Sequence, residues 1–220
     1  GYARAVATSA RLTREFRETY RSGALDISPH DVVDVLVGAG LKQWVLMGLH
    51  GYVGYLPEPR ATQDVDVLVA YSERQRAVRA IREKWPRLIV RQFSEVVRFH
   101  DPGDCDAEGH PRPVIDLMVP WGRFQESILK EFVTTDASTG HRIPRLEAAL
   151  VAKYAAMISV HRSREKKEYD AGDFRRMVLA NRDRIRRDDL RRLADEVWEG
   201  GGEEIERFLD IAVSDQPFPV

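Results

Sequence analysis

Two carboxylates open an apolar run in the segment PRATQDVDVLV, residues 59–69, where Asp64 and Asp66 precede Val67, Leu68 and Val69. Burying an unpaired carboxylate costs several kcal/mol, so acids in a strand-like stretch call for a compensating cation. The alternation of an extended chain places Arg60, Thr62, Asp64, Asp66 and Leu68 on one face and Ala61, Val65, Val67 and Val69 on the other. Carboxylates at i and i+2 lie about 6 to 7 Å apart along such a strand and reach one divalent ion or bridge two. Mg2+ suits them, because it is a hard cation held by a few carboxylates together with substrate phosphate oxygens. An acid-x-acid pair alone also fits a plain strand edge or turn.

Three further features favour the metal. Asp116 is a third acid inside an apolar run, PVIDLMV. Upstream, QWVLM ends at Gly48, and LHGYVGYL then reads as a helix start, which is a natural seat for a triphosphate. Lys153 follows Leu146 by seven residues and Leu150 by three, so it falls on the apolar face of its helix, where a lysine needs a partner.

The elements that must position these residues follow from periodicity and punctuation. Residues 2–20 have helix-forming composition, and Ser28 before Pro29 predicts the N-cap of a second helix. Residues 43–47 and the 61–70 run predict strands, and ERQRAVRAIREKW predicts an amphipathic helix with Ala77, Ile81 and Trp85 on one side. RLIVRQF, EVVRFH and PVIDLMV predict further strands, with a Gly/Pro/Asp loop over 101–113. From Pro144 onward the pattern predicts three or four helices, broken at Gly200 to Gly202. The fold class expected is α+β: a mixed β-sheet core flanked by helices over 1–140, then a helical C-terminal region over 141–220.

Composition sets the outer bounds. The 220 residues carry a net charge of −1, yet fifteen Lys/Arg face eight Asp/Glu between Arg142 and Arg192, a surface that suits either solvated helix faces or phosphates. The lone Cys105 excludes a disulfide framework and a zinc site built on paired cysteines, which fits a reducing compartment. No apolar run approaches the ~18 residues of a membrane span and no secretion signal is evident, so a cytoplasmic protein is expected.

Taken together, Gly48-Leu49-His50-Gly51, the stretch from Pro59 to Asp66, and Asp116 on a later strand resemble the nucleotidyltransferase superfamily of the DNA polymerase beta type. More narrowly they are similar to the AbiEii-like nucleotidyltransferases of bacterial abortive-infection and toxin–antitoxin systems. The resemblance spans roughly residues 40–180. It implies a glycine turn that holds the triphosphate, an Arg60-x-Thr62-x-Asp64-x-Asp66 strand that binds Mg2+, and Asp116 completing the metal site. It also implies a helical second half in which Lys153, Asp170 and Asp173 match a lysine and a basic-to-aspartate motif. The family's turn carries Gly-Ser or Gly-Gly; here Leu49 and His50 follow Gly48, so backbone N–H groups or His50 must face phosphate, and His50 fits a structural role equally well.

The reaction so implied transfers an NMP from an NTP to an acceptor hydroxyl, RNA foremost, with an antitoxin protein as a further partner. Asp64, Asp66, Asp116 and Lys153 are the expected catalytic residues, the three acids being the metal ligands. Gly48, His50, Gly51, Arg60, Thr62 and Asp170 are the expected nucleotide-binding set. Arg60 either braces the acids or contacts phosphate, Thr62 supports the strand, and Lys153 either neutralises the triphosphate or braces two helices through Asp170. Asp173 is equally well an ordinary surface or capping acid. The alternatives are a small-molecule transferase of the antibiotic-modifying kind, with the same metal strand, and a non-catalytic nucleotide-binding module.

Overall fold

The computed structural model describes residues 1–220. Two helices lead the chain, α1 over Tyr2–Tyr20 and α2 over Pro29–Gly38. Helix α2 starts where its cap predicts: Ser28 Oγ accepts from the Asp31 N–H at 3.2 Å, and the Asp31 carboxylate accepts from the Ser28 N–H at 2.8 Å. This reciprocal box satisfies two of the orphan donors at the helix start.

Strand β1 (Trp44–Met47) runs into the short helix α3 (Gly48–Tyr52) and a 3-10 turn over Val53–Tyr55. Then come β2 (Val65–Val69), α4 (Arg74–Lys84), β3 (Ile89–Gln92), β4 (Val96–Cys105) and β5 (Pro111–Met118). These five strands form one mixed sheet in the order β1-β2-β5-β4-β3, parallel between β2 and β5 and antiparallel elsewhere. Helix α5 (Arg123–Glu131) leads to a two-stranded ribbon of β6 (Val133–Thr135) and β7 (Arg142–Pro144). Four helices close the chain: α6 (Leu146–Ile158), α7 (Arg164–Asn181), α8 (Arg187–Asp195) and α9 (Gly201–Val213). The expected α+β architecture is present.

Val65, Val67, Ile115, Leu117, Val97 and Phe99 are all fully buried, as the inward face of the sheet requires. They belong to a single hydrophobic cluster that also takes in Ala77 and Ile81 of α4 and Leu150, Tyr154 and Phe174 of the C-terminal helices. The opposite face carries the polar residues, because partners in register point the same way: Asp66 lies opposite Asp116, and Asp116 opposite Arg98.

Two expectations need correction. Strand β2 begins at Val65, so residues 60–64 have no strand partner and do not continue the alternation read from the sequence. Their polar groups turn to α1 instead: the Arg60 carbonyl accepts from Ser9 Oγ at 2.6 Å, and the Thr62 N–H donates to Thr13 Oγ1 at 3.1 Å. The loop expected over 101–113 is confined to Asp106–His110, since β4 continues through Asp101–Cys105 with a register shift between Asp101 and Cys105 that absorbs Pro102 and Gly103. Helix α7 starts six residues before Asp170, capped by Ser163, whose Oγ accepts from the Lys166 N–H.

Candidate active site

Asp64, at the entrance to β2, Asp66, within it, and Asp116, beside it on β5, bring one carboxylate oxygen each to within 4.8 Å of one another. Parallel pairing of β2 with β5 creates this cluster from residues fifty positions apart. Burial pushes the Asp64 carboxyl up to about 6, aided by the charge of Asp116. Asp66 is held well above the ordinary carboxylate range by burial and by both neighbouring acids. Burial also raises Asp116, against the pull of Arg98. Three like charges crowded this way resist ionising together unless a cation joins them.

The donor set fits a hard divalent cation. Asp116 gives one oxygen, Oδ2, to Arg98 Nε at 3.2 Å, while its Oδ1 is buried with no partner. Gly48 leaves room for the acids: a Cβ there would sit 1.9 Å from Asp66 Oδ2, and its φ of +54° is one that L side chains rarely adopt. Only a glycine satisfies both demands. Gly51 meets a similar limit, a Cβ there lying 2.4 Å from the Leu46 carbonyl oxygen.

Cations surround the acids at one remove. Lys153 and Arg162 draw the Asp66 pKa down, and Arg98 and Lys166 do the same for Asp64. Lys153 Nζ donates to Asp170 Oδ1 at 2.8 Å, lies 3.1 Å from Asp173 Oδ2, and sits 4.6 Å from the centre of the Tyr52 ring. Burial acts to lower the Lys153 pKa, but Tyr52, Asp170 and Asp173 outweigh it and hold it above the usual lysine range. Asp170 also pairs with Arg162.

Asp173 is a hub rather than a surface acid. It is fully buried and accepts from Tyr52 Oη at 2.7 Å, Arg60 Nη2 at 2.9 Å and Arg176 Nη2 at 2.6 Å. Burial would raise its pKa, yet Lys153, the Tyr52 hydroxyl and Arg60 hold it below the usual carboxylate range. Arg60 is therefore spent on the C-terminal helix. The brace ties residues 52 and 60, next to the acids, to α6 and α7.

His50 is placed differently from a phosphate-facing residue. Its ring is buried with both nitrogens unpartnered, and burial, with His141 and Arg17, pushes its pKa down to about 3. With Thr13, Arg17, Thr62 and Asp64 it lines a cavity of about 10 Å3, the size of one water-sized sphere. A phosphate contact needs a donor open to a cleft, and this imidazole is enclosed and neutral.

Sequence reasoning passed over Arg98, Arg162 and Lys166. Arg98 carries a legible signal, an exposed cation within the apolar alternation VVRFH, but its closeness to Asp116 depends on strand pairing.

No protein-family model and no curated protein matches the chain. Among solved structures it is similar to an antigenic nucleotidyltransferase-like protein from Paracoccidioides brasiliensis, at 14% identity over 96% of both chains and a TM-score of 0.47. It is also similar to JHP933 from Helicobacter pylori, at 14% identity over 96% of this chain and 92% of that one, TM-score 0.46. The Megavirus polyadenylate synthase matches at 10% identity over 96% of this chain and 44% of that one, TM-score 0.48. These structural neighbours include nucleotidyltransferase-like proteins. Likenesses this distant say nothing of this chain's activity, which must be read from its own residues.

Proposed function

We propose that this chain is a metal-dependent nucleotidyltransferase that moves an NMP from an NTP to an acceptor hydroxyl, with RNA as the acceptor class. The observation that carries the reading is the acid cluster: three half-buried carboxylates within 4.8 Å, with an unpartnered Oδ1 on Asp116. Nothing in the protein neutralises all three, and a structural ion pair would not assemble acids in this excess.

Bound Mg2+ would supply neutralisation of the triphosphate and a lowered pKa for the acceptor hydroxyl. Asp64, Asp66 and Asp116 would hold it. Arg98, bonded to one oxygen of Asp116, would orient the other to accept the proton of the attacking hydroxyl. Lys153, Arg162 and Lys166 supply the positive field that the leaving pyrophosphate requires, Lys153 being locked in place by Asp170 and Asp173. Arg60, Thr62 and Asp170 act in this reading by fixing the walls of the site, and the enclosed His50 has the same supporting role. Gly48 and Gly51 keep the turn close to the acids.

The finer reading is an AbiEii-like enzyme of the cytoplasm, with residues 1–140 as the transferase core, 141–220 as the helical region packed on it, and an antitoxin partner that restrains its toxicity. Its support is the order of the glycine turn, the paired acids, Asp116 and Lys153.

The test incubates purified protein with Mg2+, each α-labelled NTP in turn, and cellular RNA, beside an Asp64→Ala, Asp66→Ala variant. Labelled RNA that disappears in the variant supports the proposal. Label on an aminoglycoside or lincosamide with RNA inert overturns the acceptor class, and label that persists in the variant overturns the site.

A further inference from the structure

The segment from Arg74 to Arg98 holds Arg74, Arg76, Arg79, Arg82, Lys84, Arg87, Arg91 and Arg98, against only Glu83 and Glu95. In a chain of net charge −1 this is a steep local excess. Its charge is largely unspent. Arg98 pairs with Asp116 and Arg76 lies 3.8 Å from Glu73, while Arg74 donates to the carbonyls of Phe93 and Ser94. Arg79, Arg82, Lys84, Arg87 and Arg91 are exposed and have no carboxylate partner. A fold gains nothing from packing like charges on one surface, so a polyanion is the natural complement.

The shape around these cations is also specific. Between α4 and β3 runs an open groove of about 840 Å3, lined by Arg74, Arg79 and Arg82 above Trp85, Val90 and Gln92. Glu83 is the one acid on its wall. Strand β3 forms the edge of the sheet, and Val90 and Gln92 in the groove share the inward face with their partners Phe99 and Val97, so the groove lies across that edge from the polar face. On that face Arg91 lies opposite Arg98, Arg98 opposite Asp116, and Asp116 opposite Asp66. The row spans three strand spacings, ~14 Å, from the sheet's edge to the acid cluster. Phe93, 51% exposed, stands beside it with the Arg98 guanidinium 5.8 Å from its ring, an arrangement on which an unpaired base can stack.

We propose that this edge is the docking surface for single-stranded RNA: the groove of Arg74, Arg79 and Arg82 holds the phosphodiester backbone, and where the strand crosses β3 onto the polar face the Arg91–Arg98 row leads one end to the acids. The inference rests on the transferase reading for the direction of the strand, but not for its binding. A concave groove with a flanking aromatic suits a single strand better than a flat anionic membrane.

The experiment measures anisotropy of an end-labelled single-stranded RNA of about 20 nucleotides across a NaCl titration, with native protein and an Arg79→Glu, Arg82→Glu, Arg91→Glu variant. Arg98 is left unchanged because it touches Asp116. The variant is expected to bind about tenfold or more weakly, with a log–log salt slope shallower by about 2, as three lost phosphate contacts on a single strand require. Circular dichroism melting checks its fold; should it fail to fold, the Arg→Gln triple gives the same readout at smaller amplitude. Unchanged RNA binding in the folded variant, no binding by the native protein at low salt, or binding to phosphatidylserine vesicles with RNA ignored would each overturn the proposal. An Asp64→Asn, Asp66→Asn variant separates the two readings: it should bind RNA as the native protein does, and if it also still transfers label, the transferase site falls while the docking surface stands.

Discussion

Gly48 and Asp66 approach so closely that a single methyl on the glycine would sit 1.9 Å from the carboxylate oxygen Oδ2. The turn after β1 and the acid on β2 are thus one mechanical unit, held together by register pairing between Met47 and Asp66.

Gly48→Ala is therefore expected to displace Asp66 and to strain a backbone at φ +54°. The strain costs ~1–2 kcal/mol. A catalytic group moved by about 1 Å loses ~100-fold in rate. Urea unfolding should show the modest loss of stability, and label transfer should show the large loss of activity. Activity near the native level would mean that Asp66 is not a metal ligand.

Crowding of the acids has a signature in the metal-free protein. Asp64 has a folded pKa of about 6 against an ordinary value of 3.8, so its favourable contribution is complete below the lower value and is lost as pH rises through about 6. Mg2+ should accordingly raise the melting temperature much more near pH ~8 than near pH ~5. Asp66→Asn relieves the repulsion and is expected to melt higher than the native protein without metal at the higher pH, and to lose the response to Mg2+. A differential scanning fluorimetry grid of pH and Mg2+ reads all of this, and equal Mg2+ responses at both pH values would contradict it.

The brace around Asp173 predicts a large loss of stability when it is broken. Asp173→Ala strips a buried partner from Lys153, Arg60 and Arg176 and should cost ~3–5 kcal/mol. A Lys153→Met, Asp173→Leu double change removes both charges of the pair, and a smaller loss than the sum of the singles is expected in urea denaturation. Additive losses would show that the two residues do not depend on each other.

Two buried histidines set an acid limit. Burial pushes His50 down to about 3 and His141 to about 4, so each stays neutral in the fold and takes up a proton on unfolding below its ordinary value of 6.5. Their contribution is present above that value and is lost as pH falls toward about 4. The His50→Leu protein should show a flatter fall in urea midpoint over this window. A slope as steep as that of the native chain would mean that His50 does not titrate with unfolding.

Much of this was legible one segment at a time. Ser28 with Asp31 starts α2 because a capping box needs only residues three apart, and the run 44–47 forms β1 because uninterrupted apolar side chains are best buried on both faces. The types of the acids at 64, 66 and 116 already suggested a cation, since a carboxylate in an apolar setting needs one wherever the chain goes. Legibility stopped where a residue's partner is distant. Alternation over 60–64 looked like strand, but a strand is made by its neighbour, and α1 satisfies those backbone groups instead.

What the sequence by itself determined is the order of helices and strands and the presence of three misfit acids and one misfit lysine. Only the tertiary structure decided that β2 runs parallel to β5, so that Asp66 meets Asp116, that Asp173 is buried among four partners, and that Arg91 and Arg98 line up toward the acids. The division has a physical cause. Periodicity and capping are local consequences of side-chain chemistry, whereas strand order and register are chosen by the burial of the whole sheet at once, and no short window of sequence contains that sum.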